Sequence, residues 1–179
     1  PYFEVAALRR RKENPALDLP LSSRLRTGIA WAGSPMHRND RYRSCPLQAF
    51  LPLLRVSNVD FYSLQKGDRG RDLAELPTDI QVQNLEPKLG DFGDLGVIVD
   101  QLDLIISVDT AVAHLAGALG KPVWTLLDYV PDWRWGLNGD TTPWYTTMRV
   151  FRQSVPHDWA GVMEQVAQAL SEQLNRNSK

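Results

Sequence analysis

One cysteine in 179 residues, Cys45, excludes an internal disulfide, and a reducing, cytoplasmic setting is the simplest expectation. No apolar run approaches the ~18 residues needed to cross a bilayer. Positive charge is not in excess either. Twenty Lys and Arg against twenty-one Asp and Glu leave a net charge of −1, so composition argues against nucleic acid or an anionic membrane surface as a partner. Three histidines and one cysteine form no zinc array, and no calcium loop is present. Nor does a Gly-x-Gly-x-x-Gly follow the first strand-like run, where GIAWAGSP stands instead; this argues against a Rossmann dehydrogenase. The chain starts at Pro1 without a methionine and carries the basic run Arg9 to Lys12 where a secretory leader needs an apolar stretch. The expectation is a piece of a longer protein.

What is present suffices for one core, with 43% hydrophobic residues in a length typical of a single domain. The most informative stretch is Asp103 to Leu127, DLIISVDTAVAHLAGALGKPVWTLL. Its first part, Asp103 to Val108, is apolar and rich in β-branched residues, hence a buried strand, and Asp109-Thr110 opens a helix over 110–119. Gly120-Lys121-Pro122 stops that helix, and Val123 to Leu127 is a second buried strand. A right-handed crossover makes the two strands parallel and places Asp109, Thr110 and Ala111 at the carboxyl edge of the sheet, where ligands bind in such folds. A helix N-terminus there attracts phosphate through unpaired N–H groups and its dipole. His114, one turn after Thr110, shares its face. The competing reading makes Asp109 or Thr110 a simple cap and His114 a half-buried helix residue.

Other elements follow from periodicity. Strands are expected at 27–32, 59–64, 80–85 and 148–153, and helices at 46–56, from Asp91 to about 102, and at 158–174, the last spanning about four and a half turns. Residues 1–26 read as a short helix and a linker. Two loops share the edge that carries Asp109. Gly33 to Ser44 holds Arg38, Arg41 and Arg43, which can fork onto phosphate oxygens or pair with nearby carboxylates. Gln65 and Lys66 leave the second strand, the lysine able to neutralise a diphosphate or to remain an ordinary surface residue. Asp91 and Asp94 fit a cap better than a ribose or metal site. Finally, Asp128 to Thr147 is a long loop containing Trp133, Trp135, Trp144 and Tyr145, whose rings either stack on a base or sugar or anchor the loop.

Taken together, SVDTAVAHLAGALGKPVW, GIAWAGSPMHRNDRYRSCPL, FYSLQKG and PDWRWGLNGDTTPWYTTMRVFRQ span roughly residues 27 to 153 in order. The set resembles the heptosyltransferase-like glycosyltransferases of the family 9 type, in particular those found behind tetratricopeptide repeats in bacterial proteins. That resemblance implies the C-terminal, donor-binding half of a GT-B fold, an α/β/α Rossmann-like domain with a mainly parallel sheet of about six strands. Its implied layout is a linker over 1–26 from an N-terminal domain, a nucleotide-sugar-binding domain over 27–153, and a terminal helix within 154–179 packing on the domain or its partner. It further implies a nucleoside-diphosphate sugar as substrate, no metal and no cofactor. Arg43, with Arg41 behind it, and Lys66 would meet the diphosphate beside Thr110, Ala111 and His114. Gln65 would serve the base or sugar, Asp109 the sugar hydroxyls, and Trp133 or Trp135 would stack. The general base would come from the upstream domain, and the acceptor would be a lipopolysaccharide-type glycan or a protein. The alternative is a binding or scaffolding module with a degenerate site.

Overall fold

The computed structural model describes residues 14–177, so the expected N-terminal helix and the basic run lie outside the described residues. Six strands, β1 (Leu25–Ala30), β2 (Val59–Ser63), β3 (Val82–Asn84), β4 (Leu104–Val108), β5 (Val123–Leu127) and β6 (Met148–Arg152), form one sheet in the order β3-β2-β1-β4-β5-β6. Every neighbouring pair is parallel. This is the doubly wound order, and its switch point lies between β1 and β4, where successive crossovers leave to opposite sides and open a crevice at the carboxyl ends.

Among the described residues five helices flank the sheet: α1 (Asp40–Arg43), α2 (Leu51–Leu54), α3 (Phe92–Asp100), α4 (Ala111–Ala118) and α5 (Trp159–Asn177). The central strands β4 and β5 are buried along their whole length, which is why they read as near-continuous apolar runs. On one face Leu104, Ile106, Trp124 and Leu126 pack against Leu53 of α2 and Val162, Met163, Val166 and Leu170 of α5. On the other, Ile105, Val123 and Leu127 meet Val97 and Ile98 of α3, Ala113 and Ala116 of α4, and Trp135. The terminal helix therefore closes one layer of this domain. The apolar spacing of 159, 162, 163, 166 and 170 is the stripe that makes it do so.

Boundaries differ from the sequence expectation where side chains replace ladder bonds. β1 stops at Ala30 because the N–H groups of Trp31 and Ala32 donate to the Gln65 side-chain oxygen at 3.1 and 2.9 Å, not to a neighbouring strand. β3 is reduced to three residues at the sheet edge, with Ile80 outside the strand but packed on the core. The expected helix at 46–56 divides into a 3₁₀ turn, Leu47–Phe50, and the single turn of α2, where Pro52 removes a backbone donor. Asp91 does cap α3: it accepts from Gly93 and Asp94 N–H groups at 2.8 and 3.1 Å, with Asp94 reaching back to complete a capping box.

The long loop after β5 is pinned rather than loose. A 3₁₀ turn, Trp133–Trp135, drops Trp135 into the core at 2% exposure. Arg152 then donates to the Trp135, Gly136 and Gly139 carbonyls. Thr141 pairs with Arg149 in an isolated antiparallel bridge. Among the described residues, no helix is long and apolar enough to cross a membrane.

Candidate functional site

The loop after β1 is shaped from its ends inward. The Cys45 N–H donates to the Trp31 carbonyl at 2.8 Å, the Gly33 N–H to Ser44 Oγ at 3.0 Å, and Ser44 Oγ to Asp40 Oδ1 at 2.9 Å. This folds α1 back over Gly33. A Cβ at Gly33 would come within 2.8 Å of Arg43 Cζ, so only glycine lets the guanidinium lie there. Arg43 then reaches across the switch point. Its Nη1 donates to the Asp109 carbonyl at 2.9 Å, and its Nε lies 3.7 Å from Asp40 Oδ1.

On the other bank α4 begins with an exposed turn. Thr110 occupies the cap position without capping, because its hydroxyl is 3.0 Å from Ser107 Oγ. Ser107 gives its one hydroxyl hydrogen to the Val108 carbonyl at 2.8 Å, so Thr110 must donate to Ser107. Among the described residues no side-chain oxygen therefore caps the first N–H groups of α4, and Ala111 leaves them approachable.

Asp109 and His114 are held from behind. His114 Nε2 lies 3.4 Å from Asp109 Oδ1, its Nδ1 lies 3.1 Å from the Tyr145 hydroxyl, and its ring stacks on Trp135 with centroids 5.3 Å apart. Tyr145 in turn rests on Gly117, where a Cβ would sit 2.6 Å from the ring. Burial pushes the Asp109 carboxyl up, but the His114 ring beside it, the neighbouring Trp135 indole and the nearby Arg43 charge outweigh it and hold the carboxyl below its ordinary value. Asp128, one strand over, goes the other way: desolvation raises it and the Asp109 charge adds to the rise.

The sign of the pH dependence follows. A carboxyl depressed in the fold contributes stability that is complete above its unfolded value of 3.8 and is lost as pH falls through the lower folded value. Melting temperature measured between pH 2 and 5 should therefore fall less steeply in Asp109→Asn than in the parent chain; parallel curves would contradict the assignment.

These groups surround one crevice of about 540 Å³, lined by Arg43, Asp109, Thr110, Ala111 and His114, and closed by Asp128, Val130, Pro131, Asp132 and Arg134. Five residues picked out in the sequence thus converge. The others do not. Arg38 and Arg41 are exposed, and Arg41 lies over the Tyr42 ring with 4.5 Å between Cζ and the centroid. Lys66 stays at the carboxyl edge, but its Nζ donates to the Gly90 carbonyl at 2.8 Å. Gln65 is 4% exposed, and its amide is committed to Trp31, Ala32 and Lys66. Gln65→Leu would strand two buried N–H groups and should cost about 2–3 kcal/mol, read by urea denaturation. A change below 0.5 kcal/mol would show the clamp to be dispensable. Trp133 is 72% exposed and available for stacking, whereas Trp135 is a core residue whose ring faces His114. Asp128 and Arg134 were not singled out from the sequence. Asp128 follows β5 just as Asp109 follows β4, and that shared position after a buried strand is the signal that marks it.

Comparison with known proteins decides the lineage. Residues 61–169 match the model of glycosyltransferase family 9 (heptosyltransferase), which is more than half of the chain. The chain belongs to glycosyltransferase family 9. Family membership accounts for α4 and the strands on either side of it, but the matched stretch begins within β2, so the Arg43 loop rests on geometry. Among relatives of this family 9 chain, protein FlbA of Caulobacter vibrioides is 27% identical over 149 residues, 81% of the chain and 25% of FlbA. The Escherichia coli ADP-heptose lipopolysaccharide heptosyltransferase II has a similar fold, with a TM-score of 0.59 and 18% identity, covering 99% of the chain and 54% of that structure. The chain thus spans a quarter of one relative and about half of the other. Its all-parallel sheet with helices on both faces matches the Rossmann-like architecture of the heptosyltransferase.

Proposed function

We propose that the crevice at the β1/β4 switch point holds the diphosphate of a nucleoside-diphosphate sugar, as the donor half of a GT-B glycosyltransferase. The observation that carries this is the Arg43 guanidinium bonded to the Asp109 carbonyl beside an α4 N-terminus that no side chain caps. A cation and a row of backbone donors converging on one volume suit a leaving diphosphate, whose developing charge they stabilise without a metal ion. Asp109, ionised at neutral pH and braced by His114, accepts hydrogen bonds from the hydroxyls of the transferred sugar. Thr110 and Ala111 shape the approach to the backbone. Lys66 would have to release Gly90 to reach the phosphates, Arg41 would have to leave the Tyr42 ring, and Gln65 acts through the loop it clamps. Trp133, exposed but covered in part by the Arg134 guanidinium 5.0 Å from its ring centroid, would have to shed that contact to stack on both faces.

The attacking hydroxyl of the acceptor, a glycan or a protein, needs a general base. That base belongs to an upstream domain in this reading, with tetratricopeptide repeats a further candidate neighbour. Donor binding without turnover is therefore the expected behaviour of the isolated chain. A thermal-shift panel of ADP, GDP, UDP and their sugars tests it: a ligand at one hundred times its dissociation constant adds about 2.7 kcal/mol, a shift of several degrees. No shift with any diphosphate, or turnover by this chain alone, would overturn the reading.

A further inference from the structure

Beside the donor crevice lies a second, smaller cavity of about 300 Å³. It shares Asn39, Asp128 and Val130 with the crevice, so the two volumes adjoin along one wall. Its other walls come from Tyr42 of α1, from Tyr129, and from Gln153, Pro156 and His157 just beyond β6. The sequence motifs at the first-strand loop and at the end of β6 meet here, far apart in the chain.

Gln153 is the informative residue. It is 5% exposed, and its Oε1 accepts the His157 N–H at 2.9 Å, which fixes the orientation of the amide. The Nε2 is then a buried double donor, and among the described residues nothing accepts from it. An unmatched buried amide is costly, and the volume it borders is where an acceptor can enter. The same walls carry acceptors: the Asp128 carboxyl and the amide oxygen of Asn39. Tyr42 and Val130 supply apolar surface, and no Lys or Arg lines the cavity. The volume is near the lower limit of small-molecule sites, about 300 Å³, which suits one ring and not a nucleotide.

We infer that this cavity is a subsite for one neutral pyranose ring, with Gln153 donating to a ring hydroxyl oxygen, Asp128 accepting from others, and Tyr42 flanking the apolar face of the sugar. The lining decides the class. Phosphate is disfavoured by the Asp128 carboxylate and by a lining without Lys or Arg, whereas a hydroxylated ring supplies both the acceptors and the donors that the walls need. The ring arrives either as the glycosyl group of the donor, extending from the diphosphate past Asp128, or as the terminal sugar of an acceptor glycan. The inference rests on the donor reading only in the arm that uses nucleotide sugars.

The test is saturation-transfer NMR and calorimetry on the full chain with methyl glycosides of glucose, galactose and mannose, the three free nucleosides, and the nucleoside diphosphates with and without sugar. Gln153→Glu keeps the acceptor for His157 and removes the donor, and Tyr42→Ala strips the opposite wall. At least one sugar probe, glycoside or nucleotide sugar, should bind at least tenfold more weakly in both variants while the free diphosphate keeps its affinity. Arg43→Ala should weaken the free diphosphate and leave the affinity for a methyl glycoside unchanged. If the sugar belongs to the donor, the nucleotide sugar binds more tightly than the diphosphate and only that increment disappears. If it belongs to an acceptor, a methyl glycoside and the nucleotide sugar bind together. Sugar binding unchanged by both variants, no sugar-dependent binding at all, or a free nucleoside whose binding the variants abolish would overturn the inference, and the diphosphate arm reports separately on the donor site.

Discussion

Arg43→Ala should weaken nucleoside-diphosphate binding by roughly ten- to one-hundred-fold, because a hydrogen bond to a charged group contributes about 1.5–3 kcal/mol and every 1.4 kcal/mol is tenfold. The substitution removes two things at once. It deletes the guanidinium that the β1 loop brings to α4, and it releases the Asp109 carbonyl that Nη1 holds at 2.9 Å. Arg43→Lys separates them. Lysine restores the charge without the planar fork, so it cannot hold the carbonyl and a phosphate oxygen in one plane, and its affinity should fall between the alanine variant and the parent. Calorimetric titration with the diphosphate that gives the largest thermal shift is the measurement. Unchanged affinity in Arg43→Ala would place the phosphates elsewhere, with Lys66 the next group to remove. The alanine should cost little stability, since the partners of Arg43 are the rim groups Asp40 and the Asp109 carbonyl.

Trp135→Ala should lower stability by about 3–5 kcal/mol, the usual cost of truncating a buried indole to a methyl group. For a chain of this length that is a fall in melting temperature of roughly 6–20 °C. Trp135 fills the core between Leu127, Met148 and Val150 and carries the stacked His114 ring on its face. Its loss therefore also loosens the imidazole that braces Asp109, and diphosphate binding should weaken along with stability. Trp133→Ala is the control. Two residues away, that ring is 72% exposed and meets Trp144 edge-on with centroids 6.1 Å apart, so its removal should change stability by less than about 0.5 kcal/mol. Equal costs for the two tryptophans would contradict the arrangement of this loop.

These two rings show where sequence reasoning reaches its limit. Both sit in one aromatic run, PDWRWG, and periodicity has nothing to say about a loop. The 3₁₀ turn at Trp133–Trp135, held by Arg152 on the carbonyls behind it, sends one ring into the core and the other to solvent. Gln65 and Lys66 divide in the same way. As neighbours at the end of β2 they look equally suited to a ligand, yet one is consumed by the backbone of the β1 exit loop and the other reaches the Gly90 carbonyl.

What the sequence by itself determined is the set of elements and the edge at which function sits. Near-continuous apolar runs at β4 and β5 and partly apolar ones at β1 and β2, with a helix between β4 and β5 ended by Gly120 and Pro122, leave few parallel arrangements open, and each of them places Asp109 and Thr110 at a carboxyl end. These are local consequences of burial and backbone geometry. Only the tertiary structure decided which side chains meet. Arg43 and Asp109 are 66 residues apart, and their contact exists because the switch point sets the β1 loop beside α4. The Gln153 amide left without an acceptor and the raised carboxyl of Asp128 are likewise products of packing. A residue's type and its place along the chain carry its chemistry, but whether that chemistry is spent inside the fold or left for a ligand depends on neighbours that the fold supplies.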